Sequence, residues 1–319
     1  MIEIRRLEEL PVPGGQVALA IGTFDGVHRG HRALFARVRE VAREARFRPA
    51  ALTFTNHPLT VLSPGAAPGL LTPYPLKRRL LAAEGLALLV ALEFTPALAE
   101  TEAEDFVRKI LLDRLGAAAI LVGFDFALGR GRAGTPAVLE SLGRAWGFEV
   151  EVIPPVLADG QPIKSSAIRA LLAAGQAREA GRLLGRPYGF EGRPQPGVGR
   201  GRQLGYPTAN VEVTGLLVPD GVYAGWVEAE GRLHDAAINV GTAPTFGGSG
   251  RRVEAHLLDY RGDLYGLDVT VWFLERLREE RRFPDAEALR AQIGTDVATA
   301  RGFLGVAGDA RETLRALQA

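Results

Sequence analysis

The sequence predicts two domains: an α/β domain with a doubly wound parallel sheet, then an antiparallel β-barrel domain with a terminal helix. Three observations lead to this fold class. The chain has 319 residues, which is longer than one hydrophobic core usually spans. From residue 16 to about 156, short apolar segments alternate with amphipathic ones, as in a parallel sheet. After about residue 186, glycine and proline become frequent and the apolar segments shorten, which is typical of an antiparallel barrel or sandwich.

Five nearly unbroken apolar segments are the predicted strands of the parallel sheet. Because they are apolar along their whole length, we expect both faces of each strand to be buried. Between the first two, residues 31–47 place Leu34, Val38 and Val41 on one stripe, as in a helix that faces a core. Residues 101–116 have the same helical character. The predicted strands are "QVALAIG", "PAALTF", "LALLVALEF", "AAAILVG" and "EVEVIPPV".

The domain boundary is predicted in "GRLLGRPYG", residues 181–189, where helix-forming residues give way to turn residues. This divides the chain into domains 1–185 and 186–319. The second domain has its own predicted strands, and residues 284–304 return to helical spacing and are expected to pack against them. These strands lie in "GVYAGWVEAEG", "RRVEAHLLDY" and "LDVTVWFLERL".

Composition and charge narrow the class of protein. There are no cysteines, which excludes disulfides, thiolate metal sites and a cysteine nucleophile. The 38 lysine and arginine residues are balanced by 37 acids, so a general nucleic-acid-binding face is not expected. The amino terminus becomes charged within five residues, and no apolar run approaches the roughly 18 residues of a membrane span. We therefore expect a cytoplasmic protein without a membrane partner.

The stretch "AIGTFDGVHRGHRALF", residues 20–35, is the first candidate site. It places His28 and His31 three residues apart, where an apolar strand passes into a helix. The start of a helix carries unpaired N–H groups and the positive end of its dipole, so it favours phosphate. Both imidazoles would lie on one face, and Gly30 would let a ligand approach the backbone. By spacing alone, a pair of surface histidines is an equal alternative.

With these residues, "GTFDGVHRGH" resembles the HxGH signature of nucleotidylyltransferases, in the form of prokaryotic bifunctional riboflavin kinase/FAD synthetases. "LTFTNHP" resembles the family's second strand, although Asn56 stands where proline is frequent. "VGFDFALGRGRAG" resembles a later loop of the family, and "KSSAIRALLAAGQ" resembles its SSxxIR motif. Without the resemblance, N-capping would be the preferred interpretation of the two serines.

The resemblance implies a Rossmann-like domain in which the phosphate of FMN attacks the α-phosphorus of ATP, giving FAD and pyrophosphate. His28 and His31 would be catalytic and would bind phosphate oxygens, with Mg²⁺ bridging the phosphates. Asp125 would orient the flavin or the metal. The other residues that would bind ATP or phosphate in this half are Gly22, Phe24, Asp25, Gly30, Ser165, Ser166 and Arg169.

"GVGRGRQLGYPTANV", residues 197–211, is the second candidate site. Glycines free backbone N–H groups to surround phosphate, and threonine and asparagine offer oxygen ligands for Mg²⁺. By itself the stretch would more often be an ordinary hairpin. It resembles the riboflavin kinase motif GxxLGxPTAN, and motifs in family-like order follow it. These are "GVYAG", "INVGTAPTFGG", "VEAHLLDY", "DLYG" and "LREERRF".

The resemblance implies that this half phosphorylates riboflavin with ATP. Glu254 would be the base that takes the proton of the 5′-hydroxyl group, although a lone glutamate is usually a solvent-facing residue. Thr208 and Asn210 would bind Mg²⁺ and the ATP phosphates, together with Gly201 and Gly205. Arg278 would contact the flavin or the nucleotide.

The sequence thus predicts a bifunctional enzyme with riboflavin, FMN and ATP as its small-molecule substrates. Two alternatives remain: a relative in which only one half is catalytic, and a regulator that binds flavin or RNA without turnover. The sequence leaves the oligomeric state open.

Overall fold

The computed structural model describes residues 1–9, 15–196, 200–213, 215–242 and 251–318. The chain divides into two compact units. The first contains residues 1–70 and 77–164, and the second contains residues 71–76 and 165–319. The helices over residues 165–184 therefore group with the second unit, in which they pack together and one contacts strands. The domain boundary at residue 185 stays a prediction.

The first unit is built on a six-stranded parallel sheet. Its strands are β1 (Ile2–Ile4), β2 (Val17–Ile21), β3 (Arg48–Phe54), β4 (Leu88–Leu92), β5 (Ala117–Gly123) and β6 (Glu149–Ile153), in the order β1-β4-β3-β2-β5-β6. Every residue of β2 and β4 is buried, as the apolar segments predict, but no residue of β6 is fully buried, because β6 is an edge strand. The edge strand β1 is not among the predicted strands, because three residues are too few to show a pattern.

Helices connect these strands. They are α1 (Arg29–Ala45), α2 (Leu59–Leu62), α3 (Tyr74–Ala82), α4 (Pro96–Ala99), α5 (Ala103–Asp105) and α6 (Pro136–Trp146). The α1 stripe buries the three residues that the sequence predicts, together with Phe35 and Ala42. The segment predicted as a helix over 101–116 begins as α5 and continues as a π-helix over Phe106–Leu112. After β6 comes a short hairpin, β7 (Leu157–Ala158) and β8 (Gln161–Pro162).

The order of the strands defines where a ligand can bind in the first unit. Strand β2 pairs with β3 on one side and with β5 on the other, and all three strands run parallel. The chain therefore changes direction across the sheet between β2 and β5. In open α/β sheets, ligands bind outside the carboxyl ends of the strands at such a point. The turn before α1 and the turn after β5 both lie at this edge.

The second unit contains a seven-stranded antiparallel sheet, which is the predicted barrel domain. Two helices, α7 (Ser165–Ala173) and α8 (Ala177–Leu184), precede it. The strands are β9 (Tyr188–Gly192), β10 (Pro194–Gln195), β11 (Ala209–Glu212), β12 (Gly221–Ala229), β13 (Arg232–Thr242), β14 (Arg251–Leu257) and β15 (Val269–Arg278). Their order is β10-β11-β14-β13-β12-β15-β9. The helical turn α9 (Arg200–Gln203) lies between β10 and β11.

Large aromatic residues form the core of this sheet. Trp226, Trp272 and Phe273 are fully buried, and Tyr223 packs edge-on against Phe273. The helices α10 (Ala286–Gly305) and α11 (Gly308–Ala316) complete the unit, and α10 contacts β12, β13 and β15 as the sequence predicts. In the described part of the chain, no helix is both long enough and apolar enough to cross a membrane.

Candidate active sites

The two imidazoles of the first site lie against each other at the start of α1. The rings of His28 and His31 are stacked, with centroids 3.6 Å apart and planes at 19°. His28 is buried and is the N-cap residue of α1, and its Nδ1 accepts the backbone N–H of His31 at 3.4 Å. Because Nδ1 is the acceptor, a neutral His28 ring carries its proton on Nε2. That ring can therefore donate a hydrogen bond to an anion through Nε2.

The glycine between the histidines makes room for this arrangement. A side chain at Gly30 would begin 3.1 Å from Cε1 of His28, so the bare backbone lets the His28 ring lie over the first turn of α1. Nearby, Phe24 packs edge-on against both His31 and Phe35. Gly22 makes room for the Phe24 ring, because a Cβ atom at this position would lie 2.7 Å from that ring.

These contacts refine the predicted roles of Gly22 and Phe24. The Phe24 side chain is buried among aromatic rings and supports His31, so only its backbone is suited to a phosphate. Asp25 is also buried. Binding of ATP by these residues stays a prediction.

The turn that leads to His28 has an unusual backbone. Phe24 has a φ of 48° and Val27 has a φ of 41°, and Gly26 between them has a φ of 91°. A positive φ at a β-branched residue is strained, and such residues cluster at functional sites. The sequence motif identifies this turn, but its left-handed backbone is visible only in the structure.

A buried lysine behind this turn is absent from the predicted site. The ammonium group of Lys77, on α3, donates to the carbonyl oxygens of Thr23 at 3.1 Å and Phe54 at 2.6 Å. Burial lowers the pKa of Lys77 to about 8, although the negative charge of Asp25 opposes that shift. Only its rarity marks it in the sequence, because lysine occurs at just three positions, with Lys109 and Lys164.

Asp125 lies in the turn after β5, at the same edge of the sheet as the histidine turn. Its carboxylate is exposed and is 3.6 Å from Nζ of Lys164, which also lies over the ring of Phe124. The backbone carbonyl of Asp125 accepts from Arg132. Exposed charged groups on a strand-end turn suit ligand binding, and the flavin contact of Asp125 stays a prediction.

The SSxxIR motif lies in the second unit. Ser165 and Ser166 are the first two residues of α7, and Arg169 follows one turn later, so Ser165 and Arg169 share a face of the helix. The helix start and the arginine form an arrangement that suits phosphate. Their action together with the two histidines stays a prediction.

The second site is assembled on β11 and its neighbour β14. Asn210 stands directly opposite Glu254 in this antiparallel pair, and Asn239 of β13 stands opposite Glu254 on the other side. Directly opposite residues have Cβ atoms roughly 5 Å apart. Glu254 is therefore flanked by two asparagines on one face of the sheet. Asn239 lies in a quoted motif but is not among the predicted site residues, because register cannot be read from one strand.

The loop before β11 presents Thr208 beside a cleft. A side chain at Gly201 would collide with the carbonyl oxygen of Tyr206 and touch Thr208, so this position requires glycine. Gly205 has a φ of 88°, which also favours glycine. The cleft is lined by Thr208, by Arg202 and Tyr260, and by Asp263 and Tyr265 of the "DLYG" stretch. The stretches 197–199 and 243–248 of the quoted motifs lie outside the described residues.

A second carboxylate lies near Glu254. Partial burial raises the pKa of Glu280, and the negative charges of Asp220 and Glu254 add to the shift. The Glu280 carboxylate also lies against the backbone of Gly241 at the end of β13. No three His, Asp or Glu side chains in the described ranges are grouped as a metal ion would need.

Arg278 has a structural partner. Its guanidinium donates three hydrogen bonds to the carboxylate of Asp296 on α10, with the shortest at 2.7 Å, and one to the carbonyl of Glu279. Asp296 is buried. This pair joins the end of β15 to α10, so Arg278 has a packing role that the sequence does not indicate. Its flavin contact stays a prediction.

Known proteins resemble both units. Residues 13–167 match the FAD synthetase family and residues 184–304 match the riboflavin kinase family. A bifunctional riboflavin kinase/FMN adenylyltransferase of Pseudomonas fluorescens is 42% identical to the chain, covering 94% of it and 97% of that protein. The protein of the same description from Escherichia coli (strain K12) is 36% identical, covering 95% and 97%. A crystal structure titled "Macrolide-efflux Protein" from Streptococcus pneumoniae has a TM-score of 0.83 at 31% identity, covering 94% and 98%.

Proposed function

Since the chain belongs to the family of bifunctional riboflavin kinase/FMN adenylyltransferases, we propose that its two reactions take place at the two sites described above. The chain phosphorylates riboflavin with ATP to give FMN, and it adenylylates FMN with ATP to give FAD and pyrophosphate. The assignment of each reaction to particular residues is the proposal.

The histidine site carries out adenylyl transfer. An oxygen of the FMN phosphate attacks the α-phosphorus of ATP, and the bond from that phosphorus to the pyrophosphate oxygen breaks. The attacking oxygen is already ionised at neutral pH, so no strong base is needed. The enzyme aligns two anions and stabilises the charge that develops between them. The observation that supports this assignment is the stacked pair of imidazoles, in which the His28 cap leaves Nε2 as a donor.

The β11/β14 site carries out the kinase reaction. The Glu254 carboxylate takes the proton of the riboflavin 5′-hydroxyl group while that oxygen attacks the γ-phosphorus of ATP, and ADP leaves. The two cross-strand asparagines orient Glu254, and the glycine-rich segment Gly201–Gly205 lets the ATP phosphates approach the backbone beside Thr208.

The donor set beside Glu254 fits Mg²⁺. The hydroxyl group of Thr208, the amide oxygen of Asn210 and a carboxylate are hard oxygen ligands of the kind that Mg²⁺ prefers. Thr208 and Asn210 would hold the ion, which would supply positive charge to the ATP phosphates. From this chemistry we propose that riboflavin phosphorylation requires Mg²⁺. The requirement is tested by measuring riboflavin phosphorylation after a chelator removes divalent cations. The cytoplasmic location and the absence of nucleic-acid and membrane partners stay predictions.

Two variants test the assignment of the reactions. His31→Gln should lose FAD formation from FMN and keep riboflavin phosphorylation, because it lacks only the first site. Glu254→Gln should lose riboflavin phosphorylation by roughly 10²–10⁴-fold, the usual contribution of a general base, and keep FAD formation. Each preparation is incubated with ATP and one flavin, and the products are separated by chromatography. A variant that loses both reactions, or neither, contradicts the assignment.

A further inference from the structure

The turn that carries the adenylyl-transfer histidines is contacted from behind by the buried side chains of Lys77 and Thr53. The left-handed residues Phe24, Gly26 and Val27 all lie in this turn, and His28 follows directly. A strained backbone of this kind persists only where its surroundings hold it in place. The groups that grip the turn therefore determine where the His28 ring lies.

Two donors converge on the first carbonyl of the turn. Nζ of Lys77 donates to the carbonyl oxygen of Thr23 at 3.1 Å, and Oγ1 of Thr53 donates to the same oxygen at 3.0 Å. Lys77 also donates to the carbonyl oxygen of Phe54, at the end of β3, at 2.6 Å. One ammonium group thus joins the carboxyl ends of the neighbouring strands β2 and β3.

Lys77 and its neighbours are shielded from water. Lys77 is 4% exposed and Asp25 is 2% exposed, and Thr53 is fully buried. The carboxylate of Asp25 attracts the ammonium group, so charge as well as hydrogen bonding ties Lys77 to the turn. A buried charged lysine is costly unless its hydrogen bonds and a counter-charge compensate, and a hydrophobic residue would fill this space at a lower cost.

We propose that Lys77 is a positioning residue for adenylyl transfer, which holds the Thr23 carbonyl and thereby fixes the turn that presents His28. The inference rests on the proposed assignment of that reaction to the His28 site. Lys77 acts through His28, because small displacements of an aligned group have large effects on the rate.

The test compares Lys77→Met with Lys109→Met in the full chain. Methionine retains the unbranched lysine side chain up to Cε but lacks the ammonium group and cannot donate. Lys109 belongs to the same unit but lies on the surface, 3.0 Å from Asp105. For Lys77→Met we expect kcat of FAD formation to fall ten- to a hundredfold, with KM for FMN and ATP changed less than about threefold. Lys109→Met should form FAD at the wild-type rate. Both variants should phosphorylate riboflavin at the wild-type rate.

A milder variant and a double variant separate positioning from loss of structure. Thr53→Val removes the other donor to the Thr23 carbonyl and should lower kcat severalfold in the same way. In a His28→Ser background, Lys77→Met should have little further effect on the residual rate, because the two residues act as one unit. A merely structural role would lower the rate in that background as well.

The outcomes distinguish this inference from the proposed function. The positioning role is overturned if Lys77→Met leaves kcat unchanged. It is also overturned if the reduction of kcat in the double variant equals the product of the reductions caused by Lys77→Met and His28→Ser alone. If Lys77→Met does not fold, a Thr53→Val enzyme with wild-type kcat overturns it. If His31→Gln still forms FAD, the proposed assignment of adenylyl transfer to the histidine site is wrong. If His31→Gln does not form FAD but Lys77→Met forms it at the wild-type rate, only the role of Lys77 is refuted.

Discussion

His28 has two separable roles, and a pair of substitutions distinguishes them. As the N-cap residue it satisfies the His31 N–H through Nδ1, and as a ligand-binding residue it would donate through Nε2. His28→Ser keeps a side-chain oxygen that can cap α1, but it has no group that reaches as far as Nε2. His28→Ala removes both groups. The two variants differ by one oxygen atom, so their difference reports on the cap alone.

The structure gives the size of each effect. Loss of an N-cap costs about 0.5–2 kcal/mol, and the 3.4 Å hydrogen bond is long, so we expect His28→Ala to be about 1 kcal/mol less stable than His28→Ser, since both variants lose the buried ring. In a domain of this size, about 1 kcal/mol lowers the melting temperature by roughly 2–4 °C. Both variants lose the Nε2 donor, and removal of one such transition-state donor costs roughly 10²–10³ in kcat, or about 3–4 kcal/mol.

The assay follows conversion of FMN and ATP to FAD by chromatography, with thermal unfolding of the same samples. Riboflavin phosphorylation by each preparation is the internal control, because it depends on the other site. His28→Ser that forms FAD at close to the wild-type rate would refute the role of Nε2. Equal melting temperatures for His28→Ala and His28→Ser would refute the capping role.

Two further predictions concern buried charges. The pKa of Lys77 is about 8 in the folded protein against an ordinary 10.5, so between these pH values the unfolded chain binds more protons and stability rises with pH. The free energy of unfolding of the wild type, relative to that of Lys77→Met, should therefore rise by about 2 kcal/mol between pH 7.5 and pH 10. It is measured by urea unfolding, with pulsed hydrogen exchange of the β2 amides to follow the first unit. A difference between the two proteins that does not change with pH contradicts the burial of this charge. In the second unit, Asp296→Asn leaves Arg278 without its anionic partner and should destabilise the unit by about 2 kcal/mol in thermal or urea unfolding. Asp309→Asn on α11 is the control, and equal stability of the two variants would show that the pair contributes nothing.

The sequence alone was sufficient for the fold class, and its motifs mark the two candidate sites. Unbroken apolar segments identify the four central strands because burial on both faces requires apolar residues at most positions. The periodicity of residues 31–47 identifies α1 for an equally local reason. The HxGH and PTAN stretches stand out because glycine, histidine and hydroxyl residues are grouped just after a strand ends in the first case and just before a strand begins in the second.

Only the tertiary structure decided which distant residues meet. Glu254 lies 44 positions from Asn210, and Lys77 lies 54 positions from Thr23. Their contacts depend on which strands pair, in which register, and on the packing of α3 behind a strained turn. Local periodicity reports whether a residue is buried, but not against which part of the chain it is buried. That choice is made by the packing of the whole core, in which many weak contacts are satisfied together.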